Sequence, residues 1–332
     1  MPATDKIRRV ERALADLASN EADCRLCPRD CRVDRRRGLT GYCGIGARAV
    51  VSTALLHFGE EPVLSGTGNC GTKETPAEAP GSGTVFFSGC NLRCLFCQNY
   101  QISWQRGGRE VGDEELAGMM LVLQEQGAAN LNLVSPSHVL LPILRALRLA
   151  LQRGFSLPVV YNTNGYDNIE IIERLNGIVD VYLPDCKYTR PEPAARYSGA
   201  ADYFDKARAA IQDMFVQKPD LICNDRGLAV SGTIVRHLVL PGQVADSLAV
   251  LDWLAETFRP TIPLSLMSQY RPCWKAPVEL RRGLRPEEYR MVLLKAKSSG
   301  FDPLFAQPNL FEAEDHLNPD FERDEPFRWK PS

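Results

Sequence analysis

The sequence predicts an α/β protein, a partial (β/α)6 barrel preceded by an N-terminal cysteine-rich extension. Three observations predict it. From residue 83 onward, short apolar runs alternate with amphipathic stretches, the pattern of βαβ units around a parallel sheet. Each of six such runs is followed at once by a polar or glycine-rich segment, as at the C-terminal strand ends where parallel barrels carry their sites. Residues 24–83, by contrast, show little periodicity and are rich in Gly, Pro and Cys.

The elements follow in order. Ile7, Val10, Leu14 and Leu17 recur at helical spacing and predict a helix over 5–19. Residues 69–83 read as an extended loop. The apolar runs are 84–87, 131–134, 158–161, 179–183, 233–240 and 263–267, and the helices between or after them are 113–126, 139–152, 169–175, 244–257 and 286–298. Asp113 is the expected N-cap of the first of these helices and Gly127 its stop. Right-handed crossovers between successive strands curl such a set into an open barrel. The expected division is therefore an extension over 1–83, the barrel over 84–310 and a charged, proline-bearing surface tail over 311–332.

Composition narrows the function. A net charge of −2 over 332 residues lacks the basic excess of a non-specific nucleic-acid binder. The N-terminus has no signal-peptide design, and no apolar run approaches the roughly 20 residues of a membrane span. The expected location is the cytoplasm, where thiols stay reduced. Eleven cysteines there argue for metal ligation, and seven of them fall in two tight clusters.

One cluster is Cys90, Cys94 and Cys97, spaced C-x3-C-x2-C directly after the first strand. Three thiolates are one short of the usual set for a four-iron cluster, so one iron is left open to a small molecule. A zinc half-site and unrelated buried thiols are the competing readings. The other cluster, Cys24, Cys27, Cys31 and Cys43, runs C-x2-C-x3-C-x11-C among glycines. It reads as a closed site for Zn²⁺, as a second iron–sulfur cluster, or as no metal site. Five arginines accompany it, Arg29, Arg32, Arg35, Arg36 and Arg37. They read as a solvated basic face or as a dock for an acidic partner.

The stretch Phe86-Phe-Ser-Gly-Cys-Asn-Leu-Arg-Cys-Leu-Phe-Cys-Gln-Asn99 closely resembles the cluster motif of the radical S-adenosylmethionine (SAM) superfamily, including the aromatic Phe96 before the last cysteine. With Asn162-Thr-Asn-Gly165, Val181-Tyr-Leu-Pro-Asp-Cys-Lys-Tyr188 and Val235-Arg-His-Leu-Val-Leu-Pro-Gly242, residues 84–272 resemble the pyruvate formate-lyase activating enzyme-like branch. The resemblance implies a [4Fe–4S] cluster on Cys90, Cys94 and Cys97 with SAM on the open iron. It also implies reductive cleavage of SAM to a 5'-deoxyadenosyl radical, and hydrogen abstraction from a partner protein to make a glycyl radical. The alternative is modification of a peptide, RNA or small molecule. The implied electron donor is a low-potential protein such as flavodoxin or ferredoxin.

The resemblance also places residues. Asp185 and Lys187, two apart in an extended segment, face one side and match a pair beside the SAM carboxylate. Asn164, with Asn162 before it, matches a segment that lines the SAM site, although a turn through Asn-Gly is the rival account. Ser135, Ser137 and His138 occupy the place where the family often has Gly-Gly-Glu, which meets the SAM amino group. The hydroxyls are candidate acceptors there, with Ser137 alternatively an N-cap, and His138 is a candidate cofactor contact. Arg236 matches an arginine of the family, and alternation then turns His237 into the core. The sixth run continues into Ser268-Gln-Tyr-Arg-Pro272, a departure from the activating-enzyme pattern. Cys186 reads as a packed thiol.

Overall fold

The computed structural model describes residues 3–67, 79–258, 261–307, 319–323 and 325–327. Most of the expected loop over 69–83 and most of the tail lie outside them. Eleven strands are described. They are β1 (Ala49–His57), β2 (Ser82–Phe87), β3 (Arg109–Val111), β4 (Leu131–Val134), β5 (Val159–Thr163), β6 (Val181–Pro184), β7 (Ile222–Cys223), β8 (Ala229–Thr233), β9 (Val235–Leu238), β10 (Leu264–Met267) and β11 (Leu304–Ala306). The expected fold class is the one observed. Strands β2, β4, β5 and β6 run parallel in one sheet, and β9, β10 and β11 run parallel in a second.

The six runs read from sequence are β2, β4, β5, β6, β9 and β10. All six residues of β2 are buried, as a central parallel strand covered on both faces requires. The fifth run differs from expectation because the chain changes sheets inside it. Thr233 ends β8, which pairs with β6, and Val235 opens β9, which pairs with β10. The two sheets meet at a single parallel bridge between Asp185 and Arg236.

The extension is woven into this frame. β1 lies antiparallel against β2, and β3 antiparallel against β1, so the large sheet continues across residue 83. The N-terminal helix Ala3–Leu17 buries Val10, Ala13 and Leu17, the stripe expected of an amphipathic helix. Its Lys6 reaches Asp180 at 2.5 Å. Helix Leu140–Gln152 is apolar on most of its circumference and packs among helices Ala3–Leu17, Asp113–Glu125 and the sheet.

One local expectation is corrected. Gly112 takes the cap position that Asp113 was expected to fill, because the Asp113 carboxylate accepts from Arg145, which also binds Glu21. Helices Pro191–Ser198 and Tyr203–Gln217 were not expected, although the second buries Tyr203, Ala207, Ala210, Ile211 and Met214 at helical spacing. Within the described part of the tail, Phe327 is 7% exposed and packs with Phe321 against Phe86.

His138 shows what this packing does to a titratable group. Buried with its Nε2 2.7 Å from the Ser88 carbonyl, it is lowered from 6.5 to about 4 by burial, with the Arg35 charge adding to the effect. Between those values the unfolded chain holds a proton on this imidazole and the folded chain does not. The site therefore adds stability at neutral pH and loses it as pH falls from 6.5 through 4. Urea unfolding of the wild type and His138→Gln should differ in their pH dependence over that window by up to about 3 kcal/mol. Parallel pH profiles would contradict the assignment.

Candidate active site

Beyond the C-terminal ends of the parallel strands lies a cavity of about 420 Å³, with Cys90, Cys94 and Cys97 on one wall and Asp185, Lys187 and Arg236 on another. The cysteine loop leaves β2 and turns through Arg93, whose φ of 56° lies in the left-handed region. Every sulfur in the loop accepts a hydrogen bond. Cys90 Sγ takes the Leu92 amide at 3.3 Å and Asn164 Nδ2 at 3.5 Å. Ser198 Oγ donates to Cys94 at 2.9 Å, and Ser103 Oγ to Cys97 at 3.3 Å. Burial raises the Cys94 thiol, with Lys187 pulling the other way, and pushes Cys97 up to about 12. These thiols therefore release protons when a metal takes them.

Opposite them sits a buried charge network. Arg236 Nε donates to Asp185 Oδ1 at 2.9 Å and Nη2 to Asn162 Oδ1 at 2.7 Å, while Nη1 lies 3.7 Å from Glu60. Lys187 Nζ donates to the other Asp185 oxygen at 2.5 Å. Burial alone would raise Asp185, but Lys187 and Arg236 outweigh it and hold the carboxyl below its usual range. Burial alone would lower Lys187, and the charge of Asp185 keeps it raised and protonated. The pair is pinned from behind by Tyr203, whose hydroxyl meets the Asn164 and Asp185 carbonyls and the Lys187 amide. Gly165 allows this approach: a Cβ there would stand 2.2 Å from the Asp185 carbonyl, and its φ is 82°.

Of the residues expected to meet a cofactor, Ser135, Asn164, Asp185, Lys187 and Arg236 line the cavity. Ser135 does so with φ 57°, a strained conformation for a residue with a side chain. Two are corrected. Ser137 and His138 turn into the core, Ser137 bonding the buried Asp167 and His138 the Ser88 carbonyl. Ser137 is not an N-cap either, since Pro136 holds that position. Asn164 spends its amide on neighbours. Its oxygen caps the Tyr166 amide at 2.9 Å, and its nitrogen reaches Asn91 Oδ1 at 2.7 Å as well as Cys90. His237 faces away from the cavity, held by the Cys186 carbonyl and Ser247, and Cys186 is fully buried.

Glu60 and Glu61 were missed. Both line the cavity, both are 8% exposed or less by side chain or residue, and burial raises both despite the Arg236 charge. The signal was present as Gly59-Glu-Glu-Pro62 after an apolar run. β1 runs antiparallel, so its end delivers these carboxylates to the floor of the barrel, away from the strand ends that were searched.

Residues 84–254 match the radical SAM superfamily. The chain belongs to that superfamily. The uncharacterized protein MJ0674 of Methanocaldococcus jannaschii is 30% identical over 295 residues, covering 85% of this chain and 77% of its own. The solved structure described as native anSMEcpe with bound AdoMet is similar at a TM-score of 0.43 and 14% identity over 64% of this chain, which spans 57% of that structure's length. Membership in the superfamily implies SAM and a [4Fe–4S] cluster as cofactors. The donor set fits, with three thiols and their hydrogen-bond donors gathered at one cavity wall, and no fourth protein ligand is required of an iron that SAM occupies. Among the described residues no three His, Cys, Asp or Glu side chains stand close enough to grip one metal ion.

The network makes Arg236 the least replaceable cavity residue. Arg236→Met leaves Asp185, Glu60 and Glu61 short of a cation and should cost about 3–5 kcal/mol in urea unfolding. Adding Glu60→Gln and Glu61→Gln should recover part of that loss. An Arg236→Met chain as stable as wild type would show that the ion pair does not hold the two sheets together.

Proposed function

We propose that this chain is a glycyl-radical activating enzyme. Its support is that three thiols and the Asp185–Lys187–Arg236 network line one cavity at the parallel strand ends. When bound, the cluster and SAM supply a 5'-deoxyadenosyl radical that removes hydrogen from the substrate. Cys90, Cys94 and Cys97 hold the cluster. Asn91 and Asn164, bonded to each other at 2.7 Å, keep the cysteine loop on β5. The Lys187 ammonium offers the SAM carboxylate a point charge, and Asp185 fixes that ammonium in place. The Ser135 backbone, held in its strained turn, lines the cavity. The electron comes from a low-potential donor of the flavodoxin or ferredoxin type.

A cavity of about 420 Å³ lies toward the small end of ligand sites, which span about 300–1,000 Å³. Cluster and SAM leave little room beside them for a free metabolite. A glycine presented on a loop of a larger partner reaches such a site from outside. This size argument is what favours a protein substrate here over a small molecule.

Anaerobic reconstitution, dithionite reduction and SAM should yield 5'-deoxyadenosine, lost in Cys94→Ala. Lys187→Met should weaken SAM binding about 10- to 100-fold, the worth of one charge-assisted hydrogen bond of about 1.5–3 kcal/mol. Incubation with a glycyl-radical partner should then give an organic-radical EPR signal on that protein. Deoxyadenosine without any such signal, and with hydrogen drawn from a peptide, RNA or metabolite, would replace the glycyl-radical reading by that modification. No cleavage in a fully cluster-loaded protein would overturn the SAM assignment of the cavity.

A further inference from the structure

We propose that Cys24, Cys27, Cys31 and Cys43 form a second, tetrathiolate metal centre, set directly behind the loop that carries Cys90. The segment has almost no regular structure to hold it, only the short turn Arg35–Arg37. Reciprocal backbone bonds, Cys24 amide to Val33 carbonyl and Arg32 amide to Cys24 carbonyl, fold it back on itself. That reversal brings Cys24, Cys27 and Cys31 onto one loop. It forces Asp30 and Arg32 to positive φ values of 43° and 53°, a cost that a compensating interaction has to offset. Cys24, Cys27 and Cys43 are buried, and Cys31 is partly so. A Cβ on Gly41 would stand 2.8 Å from Cys31 Sγ, so the chain leading to Cys43 passes directly against this loop.

Arg35 is the independent observation. Its residue is 6% exposed, and its guanidinium aims Nη2 at Cys43 Sγ from 3.5 Å. Nη1 donates to the His138 carbonyl at 2.6 Å and the Gly46 carbonyl at 3.4 Å, while Nε is buried with no partner. Among the described residues no carboxylate pairs with it. A buried cation without an anion costs several kcal/mol, and neutral thiols cannot offset it. Four thiolates on a metal carry net negative charge, and Arg35 faces that charge. The Tyr42 amide also aims at the set, 3.3 Å from Cys31 Sγ.

The centre braces the first site. Arg29, two residues from Cys27, donates to the Asn91 carbonyl at 2.7 Å and the Gly199 carbonyl at 2.6 Å, under the Tyr42 ring. The Tyr42 hydroxyl donates to the Leu92 carbonyl at 3.3 Å. A Cβ on Gly89 would stand 2.7 Å from the Cys43 carbonyl. The two cysteine segments therefore touch, and a metal that fixes one fixes the mouth of the other. Because among the described residues no three His, Cys, Asp or Glu side chains converge on one ion, the centre is an iron–sulfur cluster, in which each thiolate binds its own iron. It binds with loss of the thiol protons and with no change in oxidation state of the cysteine sulfurs.

The test uses the full chain with Cys90→Ala, Cys94→Ala and Cys97→Ala, purified anaerobically. It should keep about four iron per chain, read by metal analysis and visible absorbance, and one zinc in place of the iron would overturn the proposal. Adding Cys27→Ala and Cys43→Ala should remove that metal at least tenfold. A second measurement needs no variant. In the wild type, iodoacetamide with mass spectrometry should find these four thiols protected until a chelator strips the metal. A triple variant with a native circular-dichroism spectrum and no metal would overturn the proposal. So would alkylation at the same rate before and after chelation. Neither result bears on SAM cleavage, which the first site performs with its own three cysteines.

Discussion

Asp185 and Arg236 join the two sheets twice. Their backbones form the single bridge between the eight-stranded and three-stranded sheets, and their side chains form the ion pair at the cavity wall. A buried ion pair is favourable only when its remaining hydrogen-bonding groups are also met. Here they are: Asp185 takes Lys187 on its other oxygen, and Arg236 takes Asn162 and faces Glu60. The same contact that curls the sheets into one barrel thus gathers residues of β5, β6, β9 and the β1 end around one charge. Barrel closure and site assembly are a single event in this chain.

The extension is a structural part of that site. β1 adds to the sheet and sends Glu60 and Glu61 under the cavity, while the cysteine segment after the first helix presses on Asn91 and Leu92. Its arginines divide between the interior and the surface. Arg29 and Arg35 turn inward, and Arg32 and Arg36 pair with Asp30 and Asp34. Arg37 faces solvent without such a pairing among the described residues.

The parallel strands were legible because a strand buried on both faces reads as an unbroken apolar run, and the polar residue after each run marks the mouth. Asp185 and Lys187 were legible for that reason. What was not legible depended on geometry that periodicity does not encode. The run over 233–240 carries no mark of the change of sheet at Ile234. Asp113 has cap chemistry, yet Arg145 arrives from another helix and takes its carboxylate. Ser137 and His138 follow a strand like true site residues, but the chain turns at Ser135 with φ 57° and carries both inward. Glu60 and Glu61 escaped because β1 is antiparallel, so its polar end sits at the opposite pole of the barrel. Tyr203, which pins both strand ends, lies on a helix that was not read from the sequence.

The cavity is two-sided in chemistry as well as in shape. The charged network holds one wall, and Phe86, Phe305 and Phe327 line another. Phe327 comes from the far end of the chain and stacks at 5.2 Å on Phe86 of β2, while Gln101, just past the cysteine loop, bonds Asp320 and the Phe321 amide. The C-terminal residues therefore close over the strand next to the cysteines. The cavity thus has buried aromatic carbon on that side and fixed charge on the other. Exclusion of water is what an active-site wall contributes when a bound cofactor carries the chemistry. On the proposed reading, Phe321 and Phe327 serve the first strand of the barrel, and a substrate loop has to enter where neither wall closes.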